Sequence, residues 1–281
     1  MSTRPDQWHR AWSSVPDVLD RLLALVKDAP PDRAVTADWT VADTVAHLST
    51  IAIKDIGLVT GTVPDLPVPG LHELVLGTTV DTVAEMNRQV LRGFTERELP
   101  VLTDRLRADV AELTRLAEGA DPLREVTWLG GARLPLVGLY VHLLNELNIH
   151  AWDIARGLGA EWETDPRDAA LFVDVFLTEV IRCGYGRLLD HDRPVRPGRI
   201  SAIFHSHTGD PVTFALIDGR VVLEPTDPRP DIRLRYDPTT FNLMLFGRVN
   251  RIRAVLGRKL SVGGRRPWLL PTFMQTMRLP S

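Results

Sequence analysis

A change in hydrophobic period limits the fold more than any other feature of the chain. Over roughly the first 190 residues apolar side chains recur every three to four positions, which is the spacing of amphipathic helices. Beyond residue 199 they alternate, which is the spacing of half-buried strands. With 281 residues, the chain is also long enough for two domains. The expected architecture is multidomain: an all-α up-and-down four-helix bundle over 1–190, a linker over 191–199 (HDRPVRPGR), and a small α+β domain over 200–281.

Local signals set the elements. Ser14 is placed to cap a helix bearing Val15, Val18, Leu19, Leu22, Leu23 and Val26, ended by Pro30-Pro31. Thr40 with Asp43 reads as a capping box for a second helix, whose seam is Val41, Val45, Leu48, Ala52 and Ile56. After a Pro/Gly-rich connection (61–70), helical segments are expected over 72–94 and 97–118. Leu134 to Arg156 is the most apolar helix, with Leu136, Leu139, Leu143, Leu147 and Ile154 in its seam and Gly157 and Gly159 as its stop. Asp165-Pro166 opens a last long helix to Leu189. Strands are predicted over 199–207, 212–217, 220–224, 231–236 and 259–263, with Asp218-Gly219 as a hairpin turn, and helices over 238–246, 249–256 and 267–278.

Composition narrows the function classes. The hydrophobic fraction of 44% and charged fraction of 25% are those of a globular protein, and a net charge of −3 gives no general field for a nucleic-acid backbone. The basic residues near the end (Arg248, Arg251, Arg253, Arg258, Lys259, Arg265, Arg266) read as a solvated face. A single cysteine, Cys183, excludes an internal disulfide and a thiolate-rich zinc cluster, and its place in a helical run reads as packing. No apolar run approaches the ~20 residues of a membrane span and no signal-peptide core is present, so a cytoplasmic protein without nucleic-acid or membrane partners is expected.

The informative residues are polar ones on helices that otherwise bury themselves. His142, Glu146 and His150 stand at i, i+4 and i+8, on one stripe beside the Leu143/Leu147 seam. Burying a carboxylate and two imidazoles without partners costs several kcal/mol, roughly, and a metal ion is an economical partner. His47, next to Leu48 on the second helix, points to the same core edge. Two imidazoles and one carboxylate form a three-ligand set with an open position, as in catalytic zinc sites. Asp43 and Asp153 stand where they could accept the free ring N–H groups. Spacing alone leaves open whether His142 or His47 completes the set with Glu146 and His150.

DWTVADTVAHL (38–48) resembles the W-S/T-x-x-D-x-x-x-H-L stretch of the DinB-like, mycothiol-dependent maleylpyruvate isomerase family, and ELNIHAWDIARGLG (146–159) resembles its E-x-x-x-H-x-W-D stretch. The resemblance implies that His47, Glu146 and His150 hold a divalent metal, expected to be the zinc ion of a DinB-like bundle, and that mycothiol is the thiol cosubstrate. The tail GRVNRIRAVLGRKLSVGG (247–264) resembles a sterol-carrier-protein-like domain. Asn145 and His142 depart from the family pattern beside the site without removing a ligand.

The implied reaction joins a small-molecule thiol to an electrophilic substrate. Addition of the sulfur to a conjugated double bond, rotation and elimination gives cis–trans isomerisation, while addition that persists gives S-transfer. Arg229, Arg233, Arg235 and Arg248 are candidate clamps for a substrate carboxylate, and His205 and His207 read as an exposed or stacked pair rather than a second metal site. A metal-dependent hydrolase and a non-catalytic binder of apolar ligands with a structural metal are the alternatives.

Overall fold

The computed structural model describes residues 5–192, 194–195 and 197–277. Residues 1–4 of the polar start, 193 and 196 of the expected linker and 278 of the expected last helix lie outside them. A helical region comes first: α1 (Pro5–Val26), α2 (Val41–Thr60), α3 (Leu71–Leu76), α4 (Val83–Gly93), α5 (Leu99–Ala117), α6 (Leu136–Leu158), α7 (Pro166–Leu171) and α8 (Thr178–Cys183). A short hairpin, β1 (Glu125–Thr127) and β2 (Arg133–Pro135), precedes α6. A sheet-containing region follows, with β3 (Arg199–Ser206), β4 (Val212–Ile217), β5 (Arg220–Glu224), β6 (Ile232–Tyr236), α9 (Pro238–Leu245), α10 (Arg251–Leu256), β7 (Leu260–Gly263) and α11 (Leu270–Thr276).

In the helical region α1 and α2 each pack against both α5 and α6. Leu22, Leu48, Leu102, Leu106 and Leu113 are fully enclosed between them. Truncating any one to alanine costs about 2–5 kcal/mol, because the cavity adds to the lost transfer energy. Thr40 caps α2 as expected: its side chain accepts from the Asp43 N–H while the Asp43 carboxylate accepts from the Thr40 N–H. That box fixes where α2 begins, and therefore where His47 points.

Four helix expectations change. Ser14 lies inside α1, its hydroxyl donating to Asp168 at 3.0 Å. The helix extends upstream because Trp8, Ala11 and Trp12 continue the same apolar face, with Trp8 edge-on to Tyr140. The segment expected over 72–94 is two helices, parted by a turn in which Thr79 and Thr82 bond each other. The helix expected from Leu134 starts at Leu136, because the preceding three residues pair with β1. The helix expected to Leu189 ends at Cys183 and contains a π-helical stretch over Phe172–Leu177. There the Thr178 hydroxyl donates to the carbonyl of Val173.

The sheet has the order β5-β4-β3-β6-β7, with β3 and β6 parallel and the other pairs antiparallel. Asp218 and Gly219, both at positive φ, turn β4 into β5. Phe204, Phe214, Tyr236, Phe241 and Phe273 pack together on one face. Edge-to-face contacts of this kind add about 0.5–1.5 kcal/mol per pair beyond burial. Side-chain hydrogen bonds join this region to α6. The Asn242 amide donates to Asn145 from α9, and Arg248, just after α9, reaches Asp153.

Candidate metal centre

Residues 34–40 and helices α2 and α6 build the site. Gly157 allows the backbone of Ala34 and Val35 to lie against α6, since a Cβ there would sit 2.8 Å from Val35 Cγ1. Arg33 ties the same loop down by donating to the carbonyl of Gly157 at 2.8 Å. The loop then delivers Trp39, whose ring lies 4.7 Å from that of His47 and 5.6 Å from that of His150.

His47, Glu146 and His150 each present one donor atom, and the three atoms lie within 4.8 Å of one another. His47 Nε2 is 3.5 Å and His150 Nε2 3.4 Å from the same oxygen, Glu146 Oε2. Both histidines are buried. His142 approaches from the other side, its Nε2 3.4 Å from Glu146 Oε1. His47 and His150 thus converge on one oxygen of Glu146, and His142 faces the other.

Burial and mutual contacts shift the charges of this set. Burial pushes His47 down to about 4, and the neighbouring His150 adds to that, so its imidazole is neutral at pH 7 and keeps a lone pair. Burial also lowers His142. Burial by itself would raise Glu146, but the contacts from His150 and His47 outweigh it and hold the carboxyl well below its ordinary range. For His150 burial is outweighed by Asp153 and Glu146, which raise it. A buried carboxylate among imidazoles, with one imidazole neutral, is a donor set that suits a borderline divalent cation.

Outer contacts hold these side chains in place. His150 Nδ1 lies 3.3 Å from Asp153 Oδ2, a charge contact rather than a hydrogen bond. Asp153 in turn accepts from Arg248 Nε at 3.1 Å and Nη2 at 2.7 Å. Of the four arginines considered as clamps, Arg248 is thus the one brought to the site, and it is engaged with protein. Asp43 does not serve His47; it is held by Thr40 and by Arg97 Nε at 2.8 Å. His205 ends up in β3 and His207 just beyond it, and neither joins a metal-competent group among the described residues. Burial, with Glu125 beside it, pushes the Cys183 thiol up to about 11, which makes it a poor nucleophile.

Sequence reasoning missed the walls. Trp128, in the β1–β2 turn, lies 4.9 Å from the ring of His142, and Phe176, from the π-helical stretch, 5.4 Å. That turn depends on Gly130, at φ 65°, where a Cβ would meet the Thr78 carbonyl at 2.5 Å. Phe172 extends the wall to Phe246 of the C-terminal region. An extra backbone residue of this kind inside a helix recurs at functional sites. Lys54 stands two turns after His47 on α2, and its charge acts on His47, His142 and Glu146.

Residues 12–155 match the mycothiol maleylpyruvate isomerase N-terminal domain family. The chain is similar in fold to the crystal structure of the mycothiol-dependent maleylpyruvate isomerase, with a TM-score of 0.52 and 15% identity over 94% of this chain and 96% of that one. A histidine-to-alanine variant of that isomerase aligns over the same shares at 15% identity and a TM-score of 0.49. No curated protein matches the sequence significantly. The family match takes in α2 and nearly all of α6, and with them His47, Glu146 and His150; the chain belongs to the mycothiol maleylpyruvate isomerase N-terminal domain family.

Proposed function

We propose that the protein is a metal-dependent enzyme that uses mycothiol, or a similar low-molecular-weight thiol, for cis–trans isomerisation of a small electrophile or for S-transfer to it. The observation that carries this reading is the convergence of His47, Glu146 and His150 from two helices onto one point, within 4.8 Å, inside the segment that matches the family. The four-helix bundle reading (α1, α2, α5, α6) and a division into residues 1–190, 191–199 and 200–281, the last sterol-carrier-protein-like, belong to the same proposal.

Bound there, a zinc ion would supply Lewis acidity and an open position at which a thiol is held as thiolate. The chain supplies everything else. His47 offers a neutral nitrogen donor, His150 a second nitrogen once an entering cation displaces its proton, and Glu146 a negative charge. Asp153, fixed by Arg248, orients the His150 ring. Trp39 covers the two imidazoles and keeps water from them. Trp128, Phe172 and Phe176 give His142 an apolar aromatic surround. With Cys183 buried and its thiol raised, an external thiol is the natural sulfur nucleophile.

Metal content of the purified protein tests this reading, with wild type beside His47→Ala, Glu146→Ala and His150→Ala and circular dichroism as the folding control. The expected result is about one divalent ion per chain, lost in each folded variant because a ligand is gone, and turnover of an electrophile that requires added mycothiol. Wild type that takes up no metal even on reconstitution would sink the proposal. Turnover indifferent to mycothiol would turn it into a hydrolase reading.

A further inference from the structure

Charge is divided unevenly along this chain. After Asp237 there is no aspartate or glutamate, while Arg248, Arg251, Arg253, Arg258, Lys259, Arg265, Arg266 and Arg278 all fall there. The last 44 residues therefore carry +8 and residues 1–237, with 25 basic and 36 acidic residues, carry −11. Some of these cations have structural work. Arg248 holds Asp153, and Arg265 and Arg266 both hold Asp231. Arg253 and Arg258 are exposed, with no ion pair among the described residues, and Lys259 is exposed with a long 3.6 Å contact to Asp237.

The same stretch inverts the usual polarity of a surface helix. α10 packs against α9 and β7, yet the residue it buries is Ala254. Ile252, Val255 and Leu256, at i, i+3 and i+4 on one stripe, are 68%, 49% and 77% exposed. Trp268, further along the same acid-free stretch, is 70% exposed. An apolar stripe set outward and flanked by free cations is the arrangement of an element that lies on a lipid surface.

We propose that α10 and the turn after it, residues 251–259, form a peripheral contact surface for anionic lipid bilayers, with Ile252, Val255 and Leu256 entering the headgroup boundary and Arg253, Arg258 and Lys259 pairing with lipid phosphates. Charge complementarity selects this occupant. Three side chains on six residues are far too few for a stable protein interface, which needs about 800 Å² per partner. A nucleic-acid backbone would use the cations but gives the outward aliphatic stripe nothing to bury against. A bilayer uses both. This mode needs no spanning helix, and among the described residues no helix is long and apolar enough to cross a membrane.

Flotation of the full-length protein with vesicles of phosphatidylcholine, or of phosphatidylcholine and phosphatidylglycerol in equal parts, tests the surface without reference to turnover. Wild type is expected to float with the mixed vesicles, less so as salt rises. Each lost cation should weaken binding about fivefold, so Arg253→Ala with Arg258→Ala should weaken it about 25-fold. Leu256→Asp should abolish it with the circular dichroism spectrum unchanged, since the side chain is exposed. Absence of flotation with mixed vesicles overturns the proposal, as does flotation that survives Leu256→Asp. Binding of duplex DNA, or self-association relieved by Leu256→Asp, without flotation also overturns it and reassigns the surface.

Discussion

The two oxygens of Glu146 face two different neighbourhoods. On the Oε2 side, His47 and His150 converge at 3.5 and 3.4 Å under the cover of Trp39, and His150 is backed by Asp153 and Arg248. On the Oε1 side, His142 stands equally near, at 3.4 Å, but between Trp128 and Phe176, with its Nδ1 lacking a partner. Distance to a carboxylate does not make a histidine a metal ligand. What separates the two sides is whether several lone pairs meet at one point and whether outer groups hold the rings in that pose.

Exchanging the roles of the two sides is the sharpest way to break this comparison. His47→Ala should abolish metal binding, beyond the roughly 100-fold loss that outer partners can cause, whereas His142→Phe should lower affinity by less than about tenfold, through a looser Glu146. Competition with a chromophoric chelator measures both. Equal losses would mean that His142 is a ligand too. Between these extremes, Asp153→Asn should cost about 10–100-fold in affinity, because it removes the charge that orients His150; an unchanged titration would make the Arg248–Asp153 contact a matter of docking alone.

The smallest effect separates the histidines by pH. In metal-free protein His47 is pushed down from 6.5 to about 4, so the unfolded chain binds a proton that the folded one refuses. Its contribution is therefore present above about pH 6.5 and is lost as pH falls toward 4. His150, which is raised, works in the opposite sense: its contribution is present below its unfolded value and is lost as pH rises through the folded one. Urea denaturation of the metal-free protein at a series of pH values should show stability falling between pH 6.5 and 4, and His47→Gln should flatten that fall. A slope untouched by His47→Gln would assign it to other groups.

Much of this was legible because local chemistry and tertiary structure agree. Thr40 and Asp43 announce α2, Asp218-Gly219 announces the β4–β5 hairpin, and the strands beyond residue 199 lie where alternation puts them. Ser14 misled because a good cap residue was overruled by the burial of Trp8, Ala11 and Trp12 upstream. The π-helical stretch over Phe172–Leu177 leaves no trace in a 3.6-residue pattern, since an extra residue shifts the face by a fraction of a turn and both registers are apolar. β1 and β2, three residues each, are too short for any period to show. Hence the residues whose donor atoms converge could be listed from sequence, while the aromatic rings of Trp128, Phe172 and Phe176 beside His142 could not.

The bidentate grip of Arg248 on Asp153 joins the sheet-containing region to a residue that touches His150. Whatever tightens one end of that chain of contacts must tighten the other by the same free energy, whichever is perturbed first. A cation entering between His47, Glu146 and His150 would therefore clamp α9 and the segment carrying Arg248 more firmly onto α6, and amide exchange there would slow on metal loading. With a cation bound, the two regions would behave as partners in one equilibrium: docking of the sheet-containing region would favour the pose of His150 that binds it, and an occupied centre would favour that docking.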